Sequence, residues 1–360
     1  MKRGRSFCWR LSIAVVSIGV MMLTGLGANG ADDVMIETVS FEGWDNCYRI
    51  TNGNVELIAV TEIGPRILRF GFVDGRNMFG VSESTAGQTG GDEWQGYGGH
   101  RFWIAPETDF TYYPDNDPVR VDVGENRLVL TSPPELVDPE RRSELTPDEI
   151  FTKLETDPEF RDQVSIQKVM TITMSDDGEV TVEHQANNVG VKTLDIAPWA
   201  LTVMDQEGLA IIPNAPYAPH GPGHFLPVRS MILWSYTDLS DPRLSFLDDY
   251  ITLRQDPNRE HPLKLGFSYT EGWAAYALDG NLFVKYMEAL KDAAYPDMGS
   301  SVELFTNGGI LEIESLGPKH ELAPGQTMTL TERWKLLPYS GEIKADNESV
   351  KGLVESVGLE

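Results

Sequence analysis

The sequence predicts an all-β protein: one large antiparallel β-sandwich carrying short inserted surface helices. Three observations point there. Short runs of alternating, β-branched and aromatic residues recur from Tyr48 to Leu336. Asn-Gly and Asp-Gly turn signals separate many of them. About twenty such runs with little helical periodicity suit one two-layer sandwich.

The elements follow in order. Residues 48–51 lead into the turn Asn52-Gly53-Asn54, and residues 55–60 return as a partner strand. Residues 66–72 alternate and end at Val73-Asp74-Gly75-Arg76. Residues 119–123 and 127–131 form a second hairpin around Gly124-Glu125-Asn126. The clearest hairpin joins residues 164–174 to 179–186 through Asp176-Asp177-Gly178. The later strands are 194–196, 200–205, 210–212, 251–254, 274–277, 282–287, 301–306, 309–315 and 327–336. Residues 132–160 differ: they are acidic and hold five prolines. Thr146-Pro147-Asp148-Glu149 reads there as an N-cap with Pro at the first helical position, so short surface helices are expected. The expected organisation is a leader over 1–30, one sandwich domain over 31–340 and a tail over 341–360.

The leader reads as a secretory signal. Lys2, Arg3, Arg5 and Arg10 precede an apolar run over residues 11–26, and Ala28-Asn29-Gly30 offers small residues for cleavage before Ala31. A periplasmic or secreted protein is expected, without stable membrane insertion after cleavage. Cys47 is then the one cysteine left, expected as a packed core thiol, so stability must come from a large core. Lys plus Arg is 29 and Asp plus Glu is 55, a formal net charge of −26. Such a surface favours solubility and repels phosphate backbones and anionic lipid, which argues against nucleic-acid partners.

Residues 87–107 carry the densest chemistry. Asp92, Glu93, Trp94, Gln95, Tyr97, His100, Arg101, Trp103 and Glu107 are interleaved with glycines. Glycine lets backbone approach a ligand, aromatic rings stack on the apolar faces of sugars, and the polar groups bond hydroxyls. The mixture suits a polyol. It lacks the Lys-Ser/Thr ending of a phosphate loop. His220 and His224 are four apart, but Pro222 and two glycines forbid the helix a zinc motif needs, so a loop is expected and no metal.

Gly64-Pro65-Arg66-Ile67, Gly91-Asp92-Glu93-Trp94, Tyr97-Gly98-Gly99-His100-Arg101, Trp199-Ala200-Leu201-Thr202-Val203-Met204 and Leu253-Arg254-Gln255-Asp256-Pro257 resemble the exported bacterial family that carries domain of unknown function 4380. Phe305-Thr306-Asn307 and Leu311-Glu312-Ile313-Glu314 fit as well, so the resemblance covers most of residues 48–337. That family is similar to the galactose mutarotase-like superfamily, which implies a supersandwich with a sugar site on its concave face. The implied chemistry is acid–base: a carboxylate takes the anomeric proton, a histidine protonates the ring oxygen, and no cofactor takes part. Glu314 is the expected base with Glu312 as its stand-in, since alternation with Leu311 and Ile313 puts both on one strand face. His100 is the expected general acid. Trp199 stands where a second catalytic histidine would be expected, which departs from the superfamily pattern, and His184 is read as structural.

Arg66, Asp92, Trp94, Arg101, Trp103, Glu107, Lys285 and Arg254 are the expected substrate-binding residues. Lys285 shares a strand face with Phe283 and Met287, and a lysine on an apolar face is often paired or functional. The expected function is an exported, aldose-1-epimerase-like protein acting on a monosaccharide or related sugar. The alternatives are a non-catalytic carbohydrate-binding module, or a lyase or hydrolase on the same fold for which Glu107 and Glu314 would be the carboxylate pair.

Overall fold

In the computed structural model, residues 33–268 and 272–359 are described. The leader read in residues 1–30 lies outside them. Strands run in chain order as β1 (Met35–Phe41), β2 (Trp44–Thr51), β3 (Val55–Val60), β4 (Arg66–Phe72), β5 (His100–Ala105), β6 (Arg120–Gly124) and β7 (Arg127–Thr131). Helix α1 (Pro147–Thr156) interrupts them. Then come β8 (Ile166–Met174), β9 (Val180–Asn188), β10 (Leu194–Met204), β11 (Leu209–Pro213), β12 (Met231–Leu233), β13 (Leu244–Phe246) and β14 (Tyr250–Arg254). The series ends with β15 (Leu263–Phe267), β16 (Trp273–Leu278), β17 (Asn281–Met287), β18 (Val302–Thr306), β19 (Leu311–Leu316), β20 (His320–Leu322), β21 (Thr327–Pro338) and α2 (Asn347–Val357).

Two antiparallel sheets stack face to face. The first has the order β1-β2-β3-β4-β5-β10-β19-β18-β15-β12, with β20 also paired to β10. The second has the order β13-β14-β11-β16-β17-β21-β9-β8-β7-β6. Alternation along each strand decides which side chains meet between the sheets. Phe102, Ala200, Met204, Leu311, Ile313 and Leu304 from the first sheet pack there with Val182, Ala186, Phe283, Met287, Leu330 and Trp334 from the second. The residues between them in sequence therefore face outward, and on the first sheet that outer face is the candidate site.

The β8–β9 hairpin forms as the sequence predicts, with Met174 opposite Val180 across Asp176-Asp177-Gly178. The acidic stretch folds into α1 and two flanking 3-10 turns. Thr146 caps α1 reciprocally with Glu149, with Pro147 at its first position. Cys47 is a buried core thiol, pushed up to about 12 chiefly by its burial. The stretch expected as a tail is different. Within it α2 packs Val350, Leu353 and Val354 on Leu209, Ile211, Leu282 and Val284 of the second sheet's outer face. An apolar period of three to four in residues 350–354 was the signal for it.

Candidate functional site

Gly98 and Gly99 set the face each residue of β5 takes. Both have positive φ, and a Cβ on either would lie 2.1–2.2 Å from the carbonyl oxygen of Gly80 or Ile67. From there β5 pairs with β10, placing His100 opposite Thr202, Arg101 opposite Leu201 and Trp103 opposite Trp199. His100 thus points between the sheets while Arg101 and Trp103 point outward.

The outward side chains build a cleft of about 650 Å³. Trp94, Trp103, Trp199, Leu201, Tyr112 and Tyr236 are among its lining groups. Trp103 meets Trp94 and Trp199 edge-on, with ring centroids 5.5 and 5.4 Å apart. Arg101, Glu107, Lys264, Glu312 and Glu314 supply the charges. Glu314 accepts from Trp199 Nε1 at 2.9 Å and from Lys264 Nζ at 2.9 Å, both at Oε2. Its Oε1 has no hydrogen-bond partner among the described residues. Glu312 sits 3.0 Å from Arg101, whose guanidinium stacks 4.2 Å from the Trp103 ring.

Lys264 and Glu303 complete this constellation, and the sequence reading did not single them out. Glu303 pairs directly across from Glu314 in the β18–β19 ladder. Lys264 Nζ lies 2.8 Å from Glu303 and 2.9 Å from Glu314, both fully buried. Burial first, and then the neighbouring Glu314, push the Glu303 carboxyl up to about 8 against the pull of Lys264. Burial also raises Glu312, with Glu314 adding to the effect and Arg101 opposing it. Burial alone would lower Lys264, but Glu314 and Glu303 outweigh it and raise the ammonium. The signal for both residues was present: each is a lone charge inside an apolar strand, the pattern that drew attention to Lys285.

Several expected site residues lie elsewhere. His100 is buried between the sheets, on the opposite side of the first sheet from Glu314, so the pairing of His100 as acid with Glu314 as base is withdrawn. Lys285 belongs to the same interior cluster. Its ammonium donates to Thr202 Oγ1 and the Ile313 carbonyl, both at 3.1 Å, and lies 2.9 Å from Glu332. Burial favours the neutral form of both imidazoles, and with both neutral the directions of the remaining bonds follow. The Leu330 carbonyl can only accept, so His184 Nδ1 donates to it at 2.9 Å. His184 Nε2 then accepts from His100 Nε2 at 2.7 Å, and His100 Nδ1 accepts from the Thr202 hydroxyl at 2.9 Å. Burial, reinforced by His184 and Lys285, holds His100 well below the usual imidazole range. His100, His184 and Glu332 present ligand atoms within 4.8 Å of one another, a spacing a metal ion could use. The hydrogen-bond chain already engages all four imidazole nitrogens.

Arg66 is also a brace. It donates to the Gly98 carbonyl, pairs with Asp115 and lies under Tyr97, away from the cleft. Asp92 is exposed on the loop near Arg142. Arg254, on the second sheet, donates to the Ile343 carbonyl. His220 contacts the Phe225 ring within its own surface loop. Trp94, Arg101, Trp103, Glu107, Glu312 and Glu314 are the expected residues that the structure brings together.

No model of a known protein family matches the sequence, and no curated protein matches it. Solved structures do. A candidate aldose 1-epimerase from Klebsiella pneumoniae is 10% identical, with 90% of this chain and 86% of that chain covered and a TM-score of 0.51. The chain shares the fold of that structure. A galactose mutarotase-like protein from Lactobacillus casei is 11% identical, covering 81% of this chain and 100% of that one, with a TM-score of 0.49. A candidate aldose 1-epimerase from Escherichia coli is 13% identical, covering 85% and 99%, with a TM-score of 0.47. At such identities the likeness is one of fold. In this sandwich the first sheet's outer face carries the cleft carboxylates Glu312 and Glu314, and the space between the sheets carries the histidines His100 and His184.

Proposed function

We propose that the protein binds a monosaccharide or related sugar in the outer-face cleft and interconverts its anomers, in the manner of an aldose 1-epimerase. The basic and apolar leader supports action after export. The motifs around Gly91 and Tyr97 support kinship with the family carrying domain 4380. One observation carries the functional reading: Glu312 and Glu314 stand on one strand face of an aromatic-walled cleft, each held by a different cation. Three buried polar atoms there lack hydrogen-bond partners among the described residues: Glu314 Oε1, Arg101 Nε and Trp94 Nε1. One acceptor and two donors beside tryptophan rings suit a hydroxyl-rich ring.

The chemistry follows from the different surroundings of the two carboxyls: Glu314 keeps an unpartnered oxygen among the described residues, and burial raises Glu312. Glu314, through its free Oε1, takes the proton of the anomeric hydroxyl. Glu312, raised by burial, gives its proton to the ring oxygen. The bond from anomeric carbon to ring oxygen breaks as the carbonyl forms. Rotation of the carbonyl and the reverse transfers close the ring with the other anomer and restore both carboxyls. A freshly dissolved pure anomer followed by NMR tests this. Glu314→Gln and Glu312→Gln should each slow catalysed exchange by about 10²- to 10⁴-fold. Exchange unaffected by either change overturns the assignment.

A second reading is a binding module without catalysis. Trp199 in the cleft and His100 in the core favour it, because among the described residues no histidine lines the cleft. It predicts saturable sugar binding with anomers exchanging only at the solvent rate.

A further inference from the structure

We propose that the sugar this cleft takes carries an ammonium group, and that Glu107 and Asp297 form the subsite for it. The proposal rests on the cleft being a sugar site. Beyond Tyr112, Trp199 and Lys264 the cleft continues into a second hollow of about 430 Å³, walled also by Trp234, Glu107 and Asp297. Only two cations line the two hollows among the described residues, and each is used. Arg101 is engaged by Glu312, and Lys264 spans Glu303 and Glu314. Each already has a carboxylate partner, so a ligand carboxylate or phosphate would have to compete with Glu312 or with Glu303 and Glu314 for it.

The carboxylates are in the opposite state. Asp297 is half-buried and has no ion-pair partner among the described residues, and burial pushes its carboxyl up. Among the described residues Glu107 accepts only the Tyr112 hydroxyl. Independently of these two, the fully buried Glu314, which lines the adjoining cleft, keeps an oxygen that accepts from no donor among the described residues. An ammonium brings three donors and a charge, and aromatic faces attract it. The wall already holds one: Lys264 Nζ lies 4.9 Å from the Trp199 ring and 4.8 Å from the Trp234 ring. Its charge is matched by Glu303 and Glu314, so the hollow beyond it is left acidic.

Titration calorimetry of the purified protein with matched sugars tests this: glucosamine, glucose, N-acetylglucosamine and glucuronate, and the galacto counterparts. In the series that binds, the amino sugar should be about three- to tenfold tighter than the neutral hexose. Added salt should shrink that gap. N-acetylation, which removes the charge, should abolish it, and the uronate should bind most weakly. The preference for the amino sugar should vanish in the Glu107→Gln, Asp297→Asn double variant. An amino sugar no tighter than its neutral partner, or a uronate ahead of it, overturns this proposal and leaves the sugar site standing. No binding by any member of either series overturns the sugar site and this proposal with it.

Discussion

Lys264 has two buried carboxylates as partners, and that arrangement fixes what its removal does. Lys264→Met leaves Glu303 and Glu314 facing each other without a cation. Breaking a buried ion pair of this kind costs roughly 3–5 kcal/mol, so denaturant unfolding should show a loss of that order. Glu303 adds a pH signature. Its folded-state pKa, about 8, lies above the ordinary carboxyl value of 4.5. Between those values the folded state holds more protons than the unfolded one, so this group's stabilising contribution falls as pH rises toward 8. The histidines are the same in the two proteins, so their slopes cancel in the difference. The wild type should therefore lose stability relative to Glu303→Gln between pH 6.5 and 8, by up to about 1.4 kcal/mol per pH unit. Parallel stability–pH curves for the two proteins would contradict this placement of the proton.

The strand is the scale at which the sequence was most and least legible. Alternation and turn chemistry locate the hairpins because both are local: Asp176-Asp177-Gly178 needs no distant partner to turn. The same alternation also separates His100 and Phe102 from Arg101 and Trp103, so His100 and Arg101 had to lie on opposite faces of one strand. What local pattern does not contain is which face meets the second sheet. Lys285 shows the limit: its sharing a face with Phe283 and Met287 was legible, but that this face lies inside the sandwich depends on pairing with β21. Lys264 and Glu303 acquire meaning only when β15, β18 and β19 lie side by side. The α2 helix was hidden by the strand-rich context before it. It covers apolar residues of the second sheet, so Leu353→Ala should cost about 2–4 kcal/mol, read as a lowered denaturation midpoint. A change under 0.5 kcal/mol would mean that α2 does not hold to the sheet.

For the whole molecule, composition and architecture act together. A chain with a net charge of −26 repels itself in the folded state, and dissolved salt screens that repulsion. The melting temperature should rise between about 20 and 200 mM sodium chloride; a fall would show that the screened ion pairs outweigh the repulsion. The two sheets divide the polar chemistry. The space between them holds a chain of hydrogen bonds from Lys285 to the Leu330 carbonyl, while the first sheet's outer face holds Glu312, Glu314, Trp103 and Trp199 around the cleft. The proposed function therefore belongs to the outer face, and the interior cluster to stability. A thermal-shift titration against a panel of monosaccharides and amino sugars, run on the wild type, Glu314→Gln and His100→Asn, tests that division most directly. The account predicts that His100→Asn melts lower but keeps the ligand-induced upward shift, whereas Glu314→Gln loses it. A shift abolished by His100→Asn and retained by Glu314→Gln would contradict the account.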